Sequence, residues 1–237
     1  MTGLLASVAT LAEAEQAAAW GADIVDLKDP AKGALGAWEP GAIREAVAKL
    51  GGRATLSATT GDLPMEPGLI AEAAAAVAAA GVELVKVGFF DSARIGACNA
   101  ALKPLTRRGV RLVAVLMADR SPDLGILPAL AAAGFAGAML DTADKTGGNL
   151  CAHLDSRVLA RFVTQARACG LITGLAGSLG LGDIDLLLPL RPDYLGFRTA
   201  LCGGERTGRL DAEAFAAVRA ALPQAYRPAP RRPVPAR

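Results

Sequence analysis

Three short segments place amines and carboxylates where apolar runs of the chain come to an end. Asp26-Leu27-Lys28-Asp29-Pro30 follows Asp23-Ile24-Val25, and Lys86-Val87-Gly88 follows Leu84-Val85. Leu140-Asp141-Thr142-Ala143-Asp144-Lys145 closes a third run that begins at Gly137. Taken singly, each lysine reads as a solvated surface charge, the ordinary state of that residue. Two lysines (Lys28, Lys86) and two aspartates (Asp26, Asp141) that close apolar segments in three places are harder to dismiss. Burying such charges is costly unless they are paired. A free lysine titrates at about 10.4. A neighbouring ammonium or loss of water lowers that value and leaves a neutral amine able to attack a carbonyl. The iminium that results withdraws electrons and acidifies the adjacent carbon, while carboxylates orient the amines and move protons.

Other segments have the makings of a phosphate clamp. Ala176-Gly177-Ser178 follows the run ending at Leu175, and Arg198 precedes Cys202-Gly203-Gly204-Glu205-Arg206. Glycines let backbone N–H groups approach an anion, and arginine adds a charge-assisted grip. Gly203-Gly204 alone would be a flexible turn. Beside Arg198 and Arg206, the set Gly177, Ser178, Arg198, Gly203, Gly204 and Arg206 is expected to hold a substrate phosphate. Ser57-Ala58-Thr59-Thr60-Gly61-Asp62 fits two tasks equally, a contact to substrate or a cap for the helix that follows. Gly33-Ala34-Leu35-Gly36 reads as a mobile loop that covers the site.

These side chains need elements to carry them. Short β-type runs occur at Leu4–Val8, Asp23–Leu27, Ala54–Ala58, Leu84–Gly88, Arg111–Met117, Gly137–Leu140, Ile172–Leu175 and Tyr194–Phe197. Helical runs lie between them, at Leu11–Trp20, Gly41–Leu50, Leu69–Ala80, Ser92–Leu102, Leu124–Ala133, Ser156–Ala168, Leu181–Leu188 and Ala212–Leu222. Several end at a glycine suited to a left-handed C-cap: Gly21, Gly51, Gly81, Gly134 and Gly170. Eight β-then-α units imply a parallel sheet, since each crossover needs its own helix. That count in 237 residues favours an α/β fold of one domain, a closed (β/α)8 TIM barrel over residues 1–222, above an open doubly wound sheet. Chemistry then belongs at the carboxyl ends of the strands. Strand alternation puts Asp26 and Lys28 on the face of Ile24, with Val25 and Leu27 opposite. Lys86 shares its face with Leu84, and Asp141 with Met139.

Composition narrows the function. Hydrophobic residues make up 52% of the chain, enough for a full core, but no run is long and apolar enough for a membrane span. The start, MTGLLASVATLAEAE, lacks a signal-peptide pattern, so a cytoplasmic setting is expected. Four scattered cysteines and a single histidine, His153, do not form a metal-ligand set and argue against a Ser-His-Asp hydrolase. Trp20 and Trp38 read as packing residues. The net charge of +2 includes four arginines in the last twelve residues, so the remainder carries −2. Those residues also hold four prolines, and 223–237 reads as a disordered, solvated tail rather than a nucleic-acid contact.

In these motifs the chain resembles the (5-formylfuran-3-yl)methyl phosphate synthases, which begin furan formation for methanofuran cofactors. The resemblance rests on GADIVDLKDPAKGALGA at Gly21–Ala37, SATTGD at Ser57–Asp62 and VKVG at Val85–Gly88. MLDTADK at Met139–Lys145, LAGS at Leu175–Ser178 and the segment Arg198–Arg206 continue it in the family's order. The stretch Leu116–Pro128 and the Pro/Arg-rich end lie outside it. The resemblance implies a TIM-barrel lyase that joins two molecules of glyceraldehyde 3-phosphate, with loss of phosphate and water. It also implies that Lys28 forms the Schiff base and Lys86 acts as general acid/base. Asp26, Asp141 and Lys145 would assist proton transfer and hold the amines. No cofactor and no metal are expected. The expected partners are triose phosphates and, in a homo-oligomer, copies of the chain itself, with no nucleic acid and no membrane. The alanine and arginine content fits a GC-rich bacterial source using such a carrier for one-carbon transfer. Two other readings of the residues stay open: a Schiff-base aldolase of the deoxyribose-phosphate type, and a non-catalytic barrel that binds a phosphate ligand.

Overall fold

A computed structural model describes residues 1–223; the expected tail, from residue 224 onward, lies outside the described residues. Eight parallel strands close into one barrel in chain order. They are β1 (Gly3–Val8), β2 (Ile24–Leu27), β3 (Thr55–Thr59) and β4 (Leu84–Phe89), then β5 (Leu112–Met117), β6 (Gly137–Asp141), β7 (Ile172–Leu175) and β8 (Tyr194–Phe197). The crossovers carry α1 (Leu11–Ala19), α2 (Pro40–Leu50), α3 (Pro67–Ala79), α4 (Ile95–Arg107) and α5 (Leu127–Ala132). After β6 come α6 (Leu150–His153) and α7 (Ser156–Ala168), then α8 (Ile184–Leu187) and α9 (Ala212–Ala221). The expected barrel is the observed one.

Alternation along the strands divides the core in two. Leu5, Ile24, Leu84, Val113, Val115, Met139 and Tyr194 fill the barrel interior. Val25, Leu27, Leu56, Val85 and Leu140 point outward against helix residues such as Ile43, Ile70 and Phe162. Each fully buried large aliphatic or aromatic side chain contributes about 1.5–3 kcal/mol, so the sheet stays in register while its rim carries charge. Ser7 lies opposite Asp26, Asp26 opposite Ser57, and Thr59 opposite Lys86. The interior rows of β1 to β4 therefore meet near one level.

Several boundaries differ from expectation. Thr59 and Asp141 are strand residues rather than loop residues, which draws their side chains deeper into the barrel. The helix expected from Ser92 to Leu102 opens as a 3-10 turn, becomes α at Ile95 and runs through Pro104 to Arg107. Pro104 is exposed, as is Ala100, whose carbonyl loses a partner to the proline and is left to water. Gly51 is not left-handed (φ −54°); Gly52 takes that conformation at φ +79°. The short helix α6 has no counterpart in the sequence reading. Trp20 packs edge-on against Phe215 at 5.3 Å, and Trp38 is buried, as expected of packing residues. Among the described residues, no helix is long and apolar enough to cross a membrane.

Candidate active site

The strand ends bring the five predicted chemical residues together. Lys28, Lys86, Asp141 and Lys145 line one cleft at the carboxyl end of the barrel, with about 370 Å³ of empty space counting its open mouth. Asp26 lies beneath the floor, fully buried, and does not line the cleft. Lys86 Nζ donates to Asp26 Oδ2 at 2.8 Å. Lys145 Nζ donates to Asp141 Oδ1 at 2.5 Å and to Thr142 Oγ1 at 3.3 Å. Lys28 Nζ stands 3.7 Å from Asp141 Oδ2, too far for a hydrogen bond, and that oxygen has no other partner.

Three ammonium groups thus share two carboxylates. Burial pushes the Asp141 carboxyl up, but the ammonium of Lys145, then that of Lys28, outweighs it and leaves the group ionised well below its usual range. For Asp26, burial is likewise overcome by Lys86, then Lys28, with a further contribution from the Ser57 hydroxyl. Lys28 is pushed down to about 8. Burial is the main cause; Asp141 opposes it, and the ammonium groups of Lys145 and Lys86 add to it. With the weakest contact to a counter-charge, Lys28 is the amine that sheds its proton at least cost.

The expected phosphate clamp is only partly assembled. Gly177, Ser178, Arg198 and Arg206 line the cleft, together with Gly196 and Thr199. Gly177 has φ +113°, and a Cβ there would lie 2.9 Å from Thr142 Cγ2, so only glycine lets the β7 loop approach the end of β6. Gly203 and Gly204 lie outside the cleft, in the exposed turn that follows the 3-10 segment Thr199–Leu201. The Arg198 guanidinium is already fully occupied. It donates to Glu13 Oε2 and Oε1 at 2.5 and 3.3 Å and to the carbonyls of Ser7, Arg206 and Gly208 at 3.2, 2.9 and 2.6 Å. Because Glu13 and Arg198 are both buried, either would be left as a bare charge without the other. Arg206 donates to the carbonyls of Pro30 and Gly33, each at 2.5 Å.

The bond to Gly33 belongs to the segment Gly33–Gly36 expected to be mobile, which is seated on the barrel. Asp62 accepts from the N–H groups of Ala34 and Leu35 at 2.7 and 2.6 Å. Leu35 is fully buried against the interior cluster. Asp62 therefore neither caps the next helix nor lines the cleft; α3 starts after Glu66 without a side-chain cap. Gly33 makes the clamp feasible, with φ +122° and an imaginary Cβ only 2.2 Å from Asp62 Oδ2. Gly33→Ala is expected to unseat the loop and cost about 1–3 kcal/mol. Urea unfolding and the rate of proteolytic cleavage within residues 30–37 read both effects. An unchanged cleavage rate would show that the loop is held by other contacts.

Four positioning residues escaped the sequence reading: Ser7, Glu13, Asp62 as a loop clamp, and Asp119. Asp119 follows β5 and accepts from the N–H groups of Ala143 and Asp144, both at 2.8 Å, so it fixes the loop that returns Lys145 to Asp141. Strand-end reasoning extended to β1 and β5 picks out Ser7 and Asp119. Nothing in the spacing pairs Glu13 with Arg198, which lie 185 residues apart.

Comparison with known proteins places the chain in a family. Residues 4–219 match the family model described as 4-HFC-P synthase. The (5-formylfuran-3-yl)methyl phosphate synthase of Methanosarcina mazei is 40% identical over 218 residues, covering 86% of this chain and 92% of its own. That of Methanocaldococcus jannaschii is 38% identical over 226 residues, covering 89% and 95%. A Methylorubrum extorquens protein with a provisional assignment to the same synthase is 45% identical over 223 residues, covering 92% of each chain. Among solved structures, a 3-hexulose-6-phosphate synthase superposes with a TM-score of 0.65 at 18% identity, covering 94% of this chain and 100% of that one. At that identity the likeness shows the barrel fold alone. Matched by the family over nearly its whole length, the chain belongs to the 4-HFC-P synthase family.

Proposed function

We propose that the protein condenses two molecules of glyceraldehyde 3-phosphate into (5-formylfuran-3-yl)methyl phosphate through a Schiff base on Lys28. Atom balance for that conversion requires the release of one inorganic phosphate and two waters. The observation that carries the reading is that three amines, Lys28, Lys86 and Lys145, face two buried carboxylates, with Lys28 the one lacking a hydrogen-bonded counter-ion.

In this reading the neutral Lys28 amine adds to a triose carbonyl. Lys86, an ammonium lining the cleft, gives a proton to the departing oxygen, which leaves as water. The resulting iminium is a fixed cation on the nitrogen that in the resting protein stands 3.7 Å from a carboxylate oxygen with no hydrogen-bond partner, Asp141 Oδ2. The resting enzyme thus holds a negative charge aimed at the place where positive charge develops, the arrangement that lowers a barrier most in a site shielded from water. Loss of a proton beside the iminium gives a carbon nucleophile for the second triose. Lys86, having given up its proton, is the amine that receives it. Lys145 and the backbone at Gly177 and Ser178 face the cleft where a phosphate would sit or depart. In this account Arg198 shapes that loop through Glu13 and does not grip the anion itself.

Incubating the purified protein with glyceraldehyde 3-phosphate tests the reading. The expected result is inorganic phosphate in step with a near-ultraviolet-absorbing aldehyde of the product's mass. Reversible carbon–carbon cleavage without phosphate release would instead indicate an aldolase.

A further inference from the structure

Beneath the Lys86 acid, the barrel floor holds hydrogen bonds to which the proposed chemistry gives no task. Asp26 accepts three hydrogen bonds: from Ser57 Oγ at 2.6 Å, from Ser7 Oγ at 3.1 Å and from Lys86 Nζ at 2.8 Å. All four groups are at least 97% buried. The strand register delivers them, since β1, β2 and β3 set Ser7, Asp26 and Ser57 side by side. Below them the space is apolar, lined by Leu5, Ile24, Leu84, Val113 and Met139.

We propose that Ser7 and Ser57 are positioning residues that decide which buried lysine is the nucleophile, by holding Asp26 as a carboxylate and Lys86 as its ammonium partner. The proposal rests on the reading of Lys28 as the Schiff-base residue. A carboxylate in an apolar floor needs several donors to stay charged. With both hydroxyls gone, the Asp26–Lys86 pair has one hydrogen bond left in low dielectric. The proton on Lys86 Nζ then passes to Asp26 Oδ2, and the charged pair becomes a neutral acid and a neutral amine. Lys86 would cease to be an acid and become a second nucleophile facing the same cleft. Both hydroxyls donate to Asp26 and reach Lys28 only through the charges of the Asp26–Lys86 pair. The charges that face Lys28 are Asp141, Lys145, Lys86 and Asp26, with Arg206 also on the cleft wall. Strand β5 contributes only Val113, Val115 and Met117 to the interior.

The test is the site of covalent capture. Wild type and Ser7→Ala/Ser57→Ala are incubated with glyceraldehyde 3-phosphate and borohydride, and the labelled peptide is identified by mass. Wild type should carry the label on Lys28. The double variant should lose at least about tenfold in turnover, the lower range for losing an acid, and carry comparable label on Lys86. Ser57→Thr, whose extra methyl can use the apolar space lined by Ser57, should restore both. Should the double variant fail to fold, the single Ser57→Ala variant, which removes the 2.6 Å bond, must show the same redistribution in smaller measure. Label confined to Lys28 in a folded variant with near-normal turnover overturns this proposal and leaves the parent reading intact. Wild type that takes no label on Lys28 overturns both.

Discussion

Lys28→Met should reduce furan formation at least about 1,000-fold, since removing a covalent nucleophile leaves only binding and the remaining groups to act. Methionine keeps the unbranched shape of the lysine stem, so the loss would reflect the amine and not a cavity. The fold should survive, and the unfolding midpoint should not fall. The reason is the direction of the Lys28 shift. In the folded protein the ammonium loses its proton at about 8, against 10.5 for the free group. The folded state therefore binds fewer protons between those values. Below 8 the cost of burying the ammonium is present in full; it fades as pH rises toward 10.5. Methionine removes that cost at neutral pH. Turnover and urea unfolding at pH 7 check both halves. A variant with normal turnover would leave the proposed chemistry without its nucleophile.

The second large effect concerns pH, where two neighbours should act in opposite senses. If the neutral Lys28 amine is the reacting form, kcat/KM should rise with pH along a limb centred at about 8. The Lys145 ammonium contributes to lowering Lys28, so Lys145→Met should move that limb upward, on the order of one pH unit. Activity lost at pH 7 would then return in part at higher pH. Asp141 raises Lys28, so Asp141→Asn should move the limb downward. It also removes the counter-charge for the iminium and strands Lys145, so kcat should fall about 100-fold even at the best pH. Opposite shifts would be hard to obtain from general damage to the fold. If both limbs moved the same way, the charge balance around Lys28 would not be what activates it.

Leu35 is buried in the interior cluster, and Asp62 and Arg206 hold the backbone of the Gly33–Gly36 loop from two separate segments. Arg206 faces the cleft while bound to that loop, so it connects the expected anion site to the cover. Gly33→Ala perturbs this link from the loop side alone and leaves every lysine in place.

The amino-acid sequence was enough to determine the barrel, because hydrophobic alternation and capping are local and eight repeats leave few ways to arrange a parallel sheet. It also determined which strand ends bear charge, since parity alone puts Asp26, Lys28, Lys86 and Asp141 on interior faces. Who pairs with whom was decided only by tertiary structure. The 3.7 Å gap at Lys28 and the 2.8 Å bond at Lys86 follow from closure of the ring and from no spacing along the chain, whereas the 2.5 Å bond of Lys145 joins residues four apart along the chain. The same holds for Arg198, whose partner Glu13 sits on the first helix, and for Gly203 and Gly204, which a turn carries out of the cleft. Local interactions are written in neighbouring residues, whereas the protonation of a buried amine depends on the sum of charges that several distant strands bring within a few ångströms.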